Sequence, residues 1–211
     1  MSSEVEICKF ALSEIRAGNI NSLDETTPQA QQCRLKYPII RDQLLSGYDF
    51  SFNQSIKALA TVSDEVFDWD YVYQYPVDCL NIKRVIPDVE TTSSYLLETY
   101  NDPTLLFQND VIYRVMMNDG KKVIVSNYPN LRIDYRRSVT DPNLFESNFK
   151  MALIYMLAAS IAVSIVGVKE GSQLRSSLLE LHQYYLNMAL VNSANQELTH
   201  LADSEFLTVR N

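Results

Sequence analysis

Residues 151–168 read MALIYMLAASIAVSIVGV, eighteen positions without a charge between Lys150 and Lys169. About eighteen apolar residues is the lower limit for a membrane-spanning helix, so this stretch decides what kind of protein the chain is. Its composition is soft: Ala152, Ala158, Ala159, Ser160, Ala162, Ser164 and Gly167 are small. Small side chains let helices approach closely in protein as well as in lipid. From Met151 to Ala159 the helix is apolar on every face and needs cover on all sides. The reading is a buried central helix, with no membrane partner.

Working outward, Asp141-Pro142 is a cap residue followed by proline, which predicts that this third helix runs from there to about Val166. Downstream, Gly167 and Gly171 bracket a turn. Leu174, Leu178, Leu181, Tyr185 and Met188 then recur at 4, 3, 4 and 3, a heptad stripe on a fourth helix. After Asn192 the pattern decays into a polar tail.

The other end of the chain is helical too. Val5, Cys8, Leu12 and Ile15 predict a helix from Ser3 to Arg16, with Gly18 as its stop. Thr27-Pro28 opens a second helix through Ala30, Cys33, Tyr37, Ile40 and Leu44 to Gly47, with Pro38 expected to kink it near Arg34. Between these ends the period changes to two. Phe50, Phe52 and Gln54 alternate with polar neighbours, as do Tyr71, Tyr73 and Tyr75. Residues 111–115 and 123–125 flank Asn118-Asp119-Gly120-Lys121, a hairpin signal, because a type I′ turn needs positive φ at both central residues. Leu131 to Tyr135 alternates again. The expected fold is α+β: residues 1–47 and 141–195 form a four-helix bundle, residues 48–140 a β-rich insert, and 196–211 a C-terminal tail.

The chain's 211 residues suit one domain, or one domain with an insertion. Eighteen Lys and Arg against 26 Asp and Glu give −8, unlike a protein that coats DNA. Five glycines include no GxGxxG or Walker pattern. Three cysteines with no CxxC spacing argue against a disulfide framework and for synthesis in a reducing compartment. Glu4 and Glu6 stand where a secretion signal would carry Lys or Arg. His182 and His200 would lie ~27 Å apart on one helix, too far to share a metal. No GxSxG occurs. No cofactor is expected.

Charge is uneven. Residues 111–137 carry six basic and two acidic side chains, whereas residues 1–110 carry eight and seventeen. Lys121, Lys122, Arg132, Arg136 and Arg137 therefore form a candidate basic patch. It either protects strand edges or faces nucleic acid or an acidic partner. The run Asp64-Glu65-Val66-Phe67-Asp68-Trp69-Asp70 sets four acids beside the only tryptophan. Paired carboxylates of that kind could serve glycoside hydrolysis if an apolar pocket raised the pKa of one of them.

Three blocks of sequence resemble one family. The first spans residues 7–60 and contains Ile15 to Gly18, Ser22-Leu23-Asp24-Glu25, Cys33, Tyr37-Pro38 and Arg41-Asp42. The second is Trp69 to Leu80, matching W-x-Y-x-Y-x-x-P-x-D-x-L. The third is Leu131 to Tyr135, then Thr140-Asp141-Pro142 and Phe145 to Phe149 before the Ala-rich helix. In this order, over about residues 5–195, they resemble the tail tubular protein A family of short-tailed phages, the head-to-tail adaptor (head completion) proteins. Arg16 replaces the glycine usual in the first turn, and Tyr48-Asp49 stands where a tryptophan is common.

The resemblance implies a structural protein of the virion, assembled in the host cytoplasm and without enzymatic activity. It implies a ring, typically of twelve copies, beneath the portal protein. The ring extends the channel for genomic DNA without reading sequence, and receives the downstream tail tube or nozzle protein. An all-apolar third helix would then be covered partly by neighbouring copies, giving Tyr155, Ala159, Ala162 and Val163 as the expected subunit interface. The tail residues Leu198, Leu201, Phe206, Leu207 and Val209 are the expected portal-docking element. The alternative function is a virion-associated peptidoglycan hydrolase using a Glu/Asp pair.

Overall fold

Ser3 starts the first helix with a capping box: its hydroxyl accepts from the Glu6 amide at 3.1 Å, and the Glu6 carboxylate accepts from the Ser3 amide at 2.9 Å. The resulting helix α1, Glu4–Glu14, buries Ile7, Cys8, Ala11 and Leu12. A computed structural model describes residues 3–87 and 111–196 and contains both helices and sheets, so the fold is mixed α+β. Contacts divide the chain into a helical unit, Met1–Asn53 with Val139–Asn211, and a strand unit, Gln54–Ser138.

Helix α1 stops two residues before the expected Arg16. The Ala17 amide donates to the Leu12 carbonyl and the Arg16 amide to that of Ser13, while Arg16 adopts φ +54°. That is a Schellman stop with arginine at the left-handed position where glycine is preferred. The turn that follows is held by the Glu25 carboxylate, which accepts from the Asn21 and Ser22 amides. Thr27 then caps α2, Pro28–Gly47, as expected, accepting from the Ala30 amide. Pro38 sits in the α2 interior, where it leaves the Arg34 carbonyl without its helical donor.

Phe50 and Phe52 are not in a strand. The fully buried Asn53 folds residues 50–53 into a turn: its side chain donates to the Leu45 carbonyl at 2.8 Å and accepts from the Phe50 amide at 3.0 Å. Both rings instead pack against Phe145 and Phe149, with Phe50 and Phe149 centroids 4.8 Å apart. A second correction concerns the third helix. Asp141-Pro142 caps only a short 3-10 turn, Pro142–Leu144, after which Phe145 is extended. Helix α3 begins at Ser147 and runs to Val166.

Gly167, at φ +104°, is the whole connection to helix α4, Val168–Gln196. Gly171 is therefore not part of a turn. It lies inside α4, where a Cβ would come within 2.7 Å of the Val163 Cα and 2.8 Å of the Ala162 carbonyl oxygen, so only glycine allows this approach. The buried row of α4 is Gly171, Leu178, His182, Leu186, Ala189 and Ser193. It is offset from the expected stripe, because Leu181 and Met188 stay exposed. Helix α3 packs against α1, α2 and α4. By length and composition it could cross a bilayer, with a mean hydropathy of 2.0, and 56% of that apolar window is buried inside the chain.

Among its described residues the strand unit holds two antiparallel three-stranded sheets. Sheet one is β1 (Gln54–Ala58), β6 (Leu131–Arg137) and β3 (Cys79–Pro87), in that order. Sheet two is β2 (Tyr71–Gln74), β5 (Lys121–Ser126) and β4 (Tyr113–Asn118). Asp119 (φ +46°) and Gly120 (φ +76°) make the β4–β5 turn as the sequence predicts. Val85, Leu131, Ile133 and Tyr135 of sheet one pack on Tyr73 and Ile124 of sheet two. The opposite face of sheet two, Val72, Val123 and Val125, is covered by Val62, Val66 and Trp69.

Candidate interaction surfaces

Register decides which charged side chains share a surface, because cross-strand partners project to the same face. Arg132 pairs with Ala58 and Ile86, Asp134 with Ile56 and Arg84, and Arg136 with Gln54 and Asn81. These nine residues form the outer face of sheet one. Arg84 Nε lies 3.1 Å from the Asp134 carboxylate, which is buried, and Lys83 Nζ donates to Gln54 Oε1 at 3.3 Å. Four cations thus surround one carboxylate.

The five residues of the expected basic patch do not share this face. Arg132 and Arg136 lie on it, whereas Arg137 pairs with Cys79 and has the opposite parity. Lys121 and Lys122 are in sheet two and alternate across it. Lys122 Nζ sits 3.8 Å over the centre of the Tyr75 ring. Sequence reading missed Lys83 and Arg84, which are acquired through β3–β6 pairing some fifty residues apart and carry no local signal.

Tyr75 and Lys122 line a cleft of about 900 Å³ in the strand unit, with Asp64, Cys79 and Lys121. Burial pushes the Cys79 thiol up, against the pull of Tyr75 and Lys122, and burial also raises the Tyr75 hydroxyl. The cleft thus sets a buried thiol beside a tyrosine hydroxyl and a lysine that stacks on the tyrosine ring. Cys8 and Cys33 of the helical unit are free and buried. Among the described residues no group of three or more His, Cys, Asp or Glu could hold a metal ion.

The acidic run beside Trp69 is a cover loop. Val66 and Trp69 pack on sheet two, the Trp69 amide donates to the Val66 carbonyl at 3.2 Å, and Asp68 takes φ +68°. Glu65, Asp68 and Asp70 are exposed, Asp64 is half-buried, and Phe67 projects outward, 90% exposed. Three of the four carboxylates thus face solvent, and Asp64 lines the cleft with Lys121 and Lys122.

In the helical unit, Tyr155, Ala159 and Ala162 are buried within the chain itself, and Val163 is half-buried. Tyr155 stacks on Tyr185 at 5.5 Å. Within the chain, helix α3 is covered by α1, α2 and α4. His182 is buried, with Nδ1 2.9 Å from the Ala152 carbonyl oxygen. What α4 leaves outward is a second apolar row, Leu181, Tyr184, Met188 and Val191. Leu198, Leu201, Phe206, Leu207 and Val209, the expected docking element, lie outside the described residues. A scan against models of known protein families finds no match to this chain, and a search of curated proteins finds none.

Proposed function

We propose that this chain is a structural head-to-tail adaptor: a ring-forming protein of the virion that docks beneath a portal, continues the DNA channel and receives the tail. In this reading the four helices act as one bundle and the strands as an insert that the two chain ends bracket. The observation that carries it is that the three resembling blocks meet one another. Phe50 and Phe52 of the first block pack on Phe145 and Phe149 of the third, and Ser51 donates to the Glu146 carboxylate at 2.6 Å. Asp78 of the second block accepts from the Tyr135 hydroxyl of the third, with both oxygens at 3.2 Å. The test is to mix the purified chain with portal rings and examine the product by sedimentation and electron microscopy. A ring of this chain seated on the portal is the expected result. Failure to co-sediment at micromolar concentration would overturn the reading.

A further inference from the structure

The two broad sides of the strand unit carry opposite charge. On one side, sheet one turns Lys83, Arg84, Arg132 and Arg136 outward around the single carboxylate of Asp134, with Ile56 among them 59% exposed. On the other side, beyond sheet two, the cover loop carries Asp64, Glu65, Asp68 and Asp70 around the exposed Phe67. Arg114 and Lys121 share that side by register, leaving it net negative. The inner faces of both sheets are used up in the core between them, so these are outward surfaces of one packed unit.

We propose that the basic outer face of sheet one docks, front to back, onto the acidic loop face of a second copy of this chain. Charge complementarity argues for a second copy. Like-face pairing would oppose two net-positive faces or two net-negative ones, and is disfavoured by repulsion. Front-to-back pairing sets opposite charges together and gives Ile56 and Phe67 an apolar surface to cover. Because the two faces are on opposite sides of the unit, the contact is heterologous, and its repetition builds a ring or an open filament rather than a closed dimer. The inference rests on the adaptor reading for closure of that repetition into a ring; the pairing of faces rests on charge and register alone.

Two double variants test it: Lys83→Glu with Arg136→Glu, which makes both faces acidic, and Glu65→Lys with Asp70→Lys, which makes both basic. Lys83, Glu65 and Asp70 are exposed and Arg136 is half-buried, and circular dichroism checks that each variant folds. Sedimentation velocity at low salt should show concentration-dependent association of the wild type. Each variant alone should lose it at least ~10-fold in association constant, and an equimolar mixture of the two should regain it. Raising the salt should weaken the wild-type contact. A mixture that stays monomeric, or variants that associate like the wild type, would overturn the pairing; rings forming regardless would leave the adaptor reading standing. A wild type monomeric at ~100 µM also overturns it, while portal co-sedimentation judges the adaptor reading separately. Duplex DNA binding that Lys83→Glu/Arg136→Glu abolishes, with self-association intact, would assign the basic face to nucleic acid instead.

Discussion

The helical unit and the strand unit solve the burial problem in opposite ways. The helical unit brings backbones together: one glycine links α3 to α4, another lets them cross within a Cβ's reach, and Ala152, Ala158, Ala159 and Ala162 vanish into the contact. The strand unit keeps its backbones at sheet spacing and fills the gap with tyrosines, Tyr73 and Tyr135 above all. Close packing tolerates no added volume, whereas a tyrosine layer depends on where each hydroxyl goes. The strand unit also gathers charge by face, basic on sheet one and acidic on the loop beyond sheet two.

Ala159→Arg should break the helical side most severely. Ala159 is 1% exposed, and an unpaired guanidinium there costs several kcal/mol, much of a typical fold's margin. Little soluble folded protein should be recovered; wild-type yield and melting temperature would show that α3 is not closely covered. Gly171→Ala should come next. Alanine gains about 1 kcal/mol of helix propensity, but its methyl meets backbone at 2.7–2.9 Å, and forcing such a contact costs about 1–3 kcal/mol or more. A net loss of about 1–2 kcal/mol in urea unfolding is expected, and a gain would mean that α3 and α4 can part cheaply.

Two tyrosines sharpen the contrast. Tyr73 donates its hydroxyl to the Tyr128 carbonyl at 2.6 Å, so Tyr73→Phe should cost about 1 kcal/mol in the strand unit. Tyr37 in the helical unit buries a hydroxyl that has no hydrogen-bond partner, so Tyr37→Phe should be neutral or stabilising by up to about 1 kcal/mol. Burial also pushes the Tyr73 hydroxyl up from 10 to about 12. The folded state then holds that proton more tightly than the unfolded state, so stability falls as pH rises from 10 towards 12. Tyr73→Phe should flatten that part of the stability–pH curve. The smallest effect belongs to Arg16→Gly, which relieves a left-handed arginine and should raise stability by about 1 kcal/mol, less the entropy glycine loses on folding. A decrease in melting temperature would point to a compensating contact of the Arg16 side chain.

Local chemistry was readable wherever it is local. The Thr27-Pro28 cap, the Asp119-Gly120 hairpin and an α+β mixture with helices at both ends follow from signals a few residues long. Misreadings arose where a distant partner overrides the pattern. Alternation at Phe50 and Phe52 looks like a strand, but Asn53 ties that segment back to the Leu45 carbonyl. Asp141-Pro142 has a true cap, but its bonds are spent on a 3-10 turn. In α4 the leucine heptad and the buried row differ because Gly171, with no side chain to count in a hydrophobic pattern, sets the contact face.

The sequence by itself determined the elements, their caps and turns, and the need to cover the apolar helix, because these depend on backbone sterics and apolar spacing. Only the tertiary structure decided what covers that helix and which charges stand together. Arg84 joins Arg132 and Arg136 through antiparallel register across some fifty residues, where a shift of one residue would send a side chain to the other face, and Lys83, in the strand irregularity between Ile82 and Arg84, reaches that face through Gln54. Register of that kind is set by the core on the sheet's inner side, and no property of the four basic residues themselves encodes it.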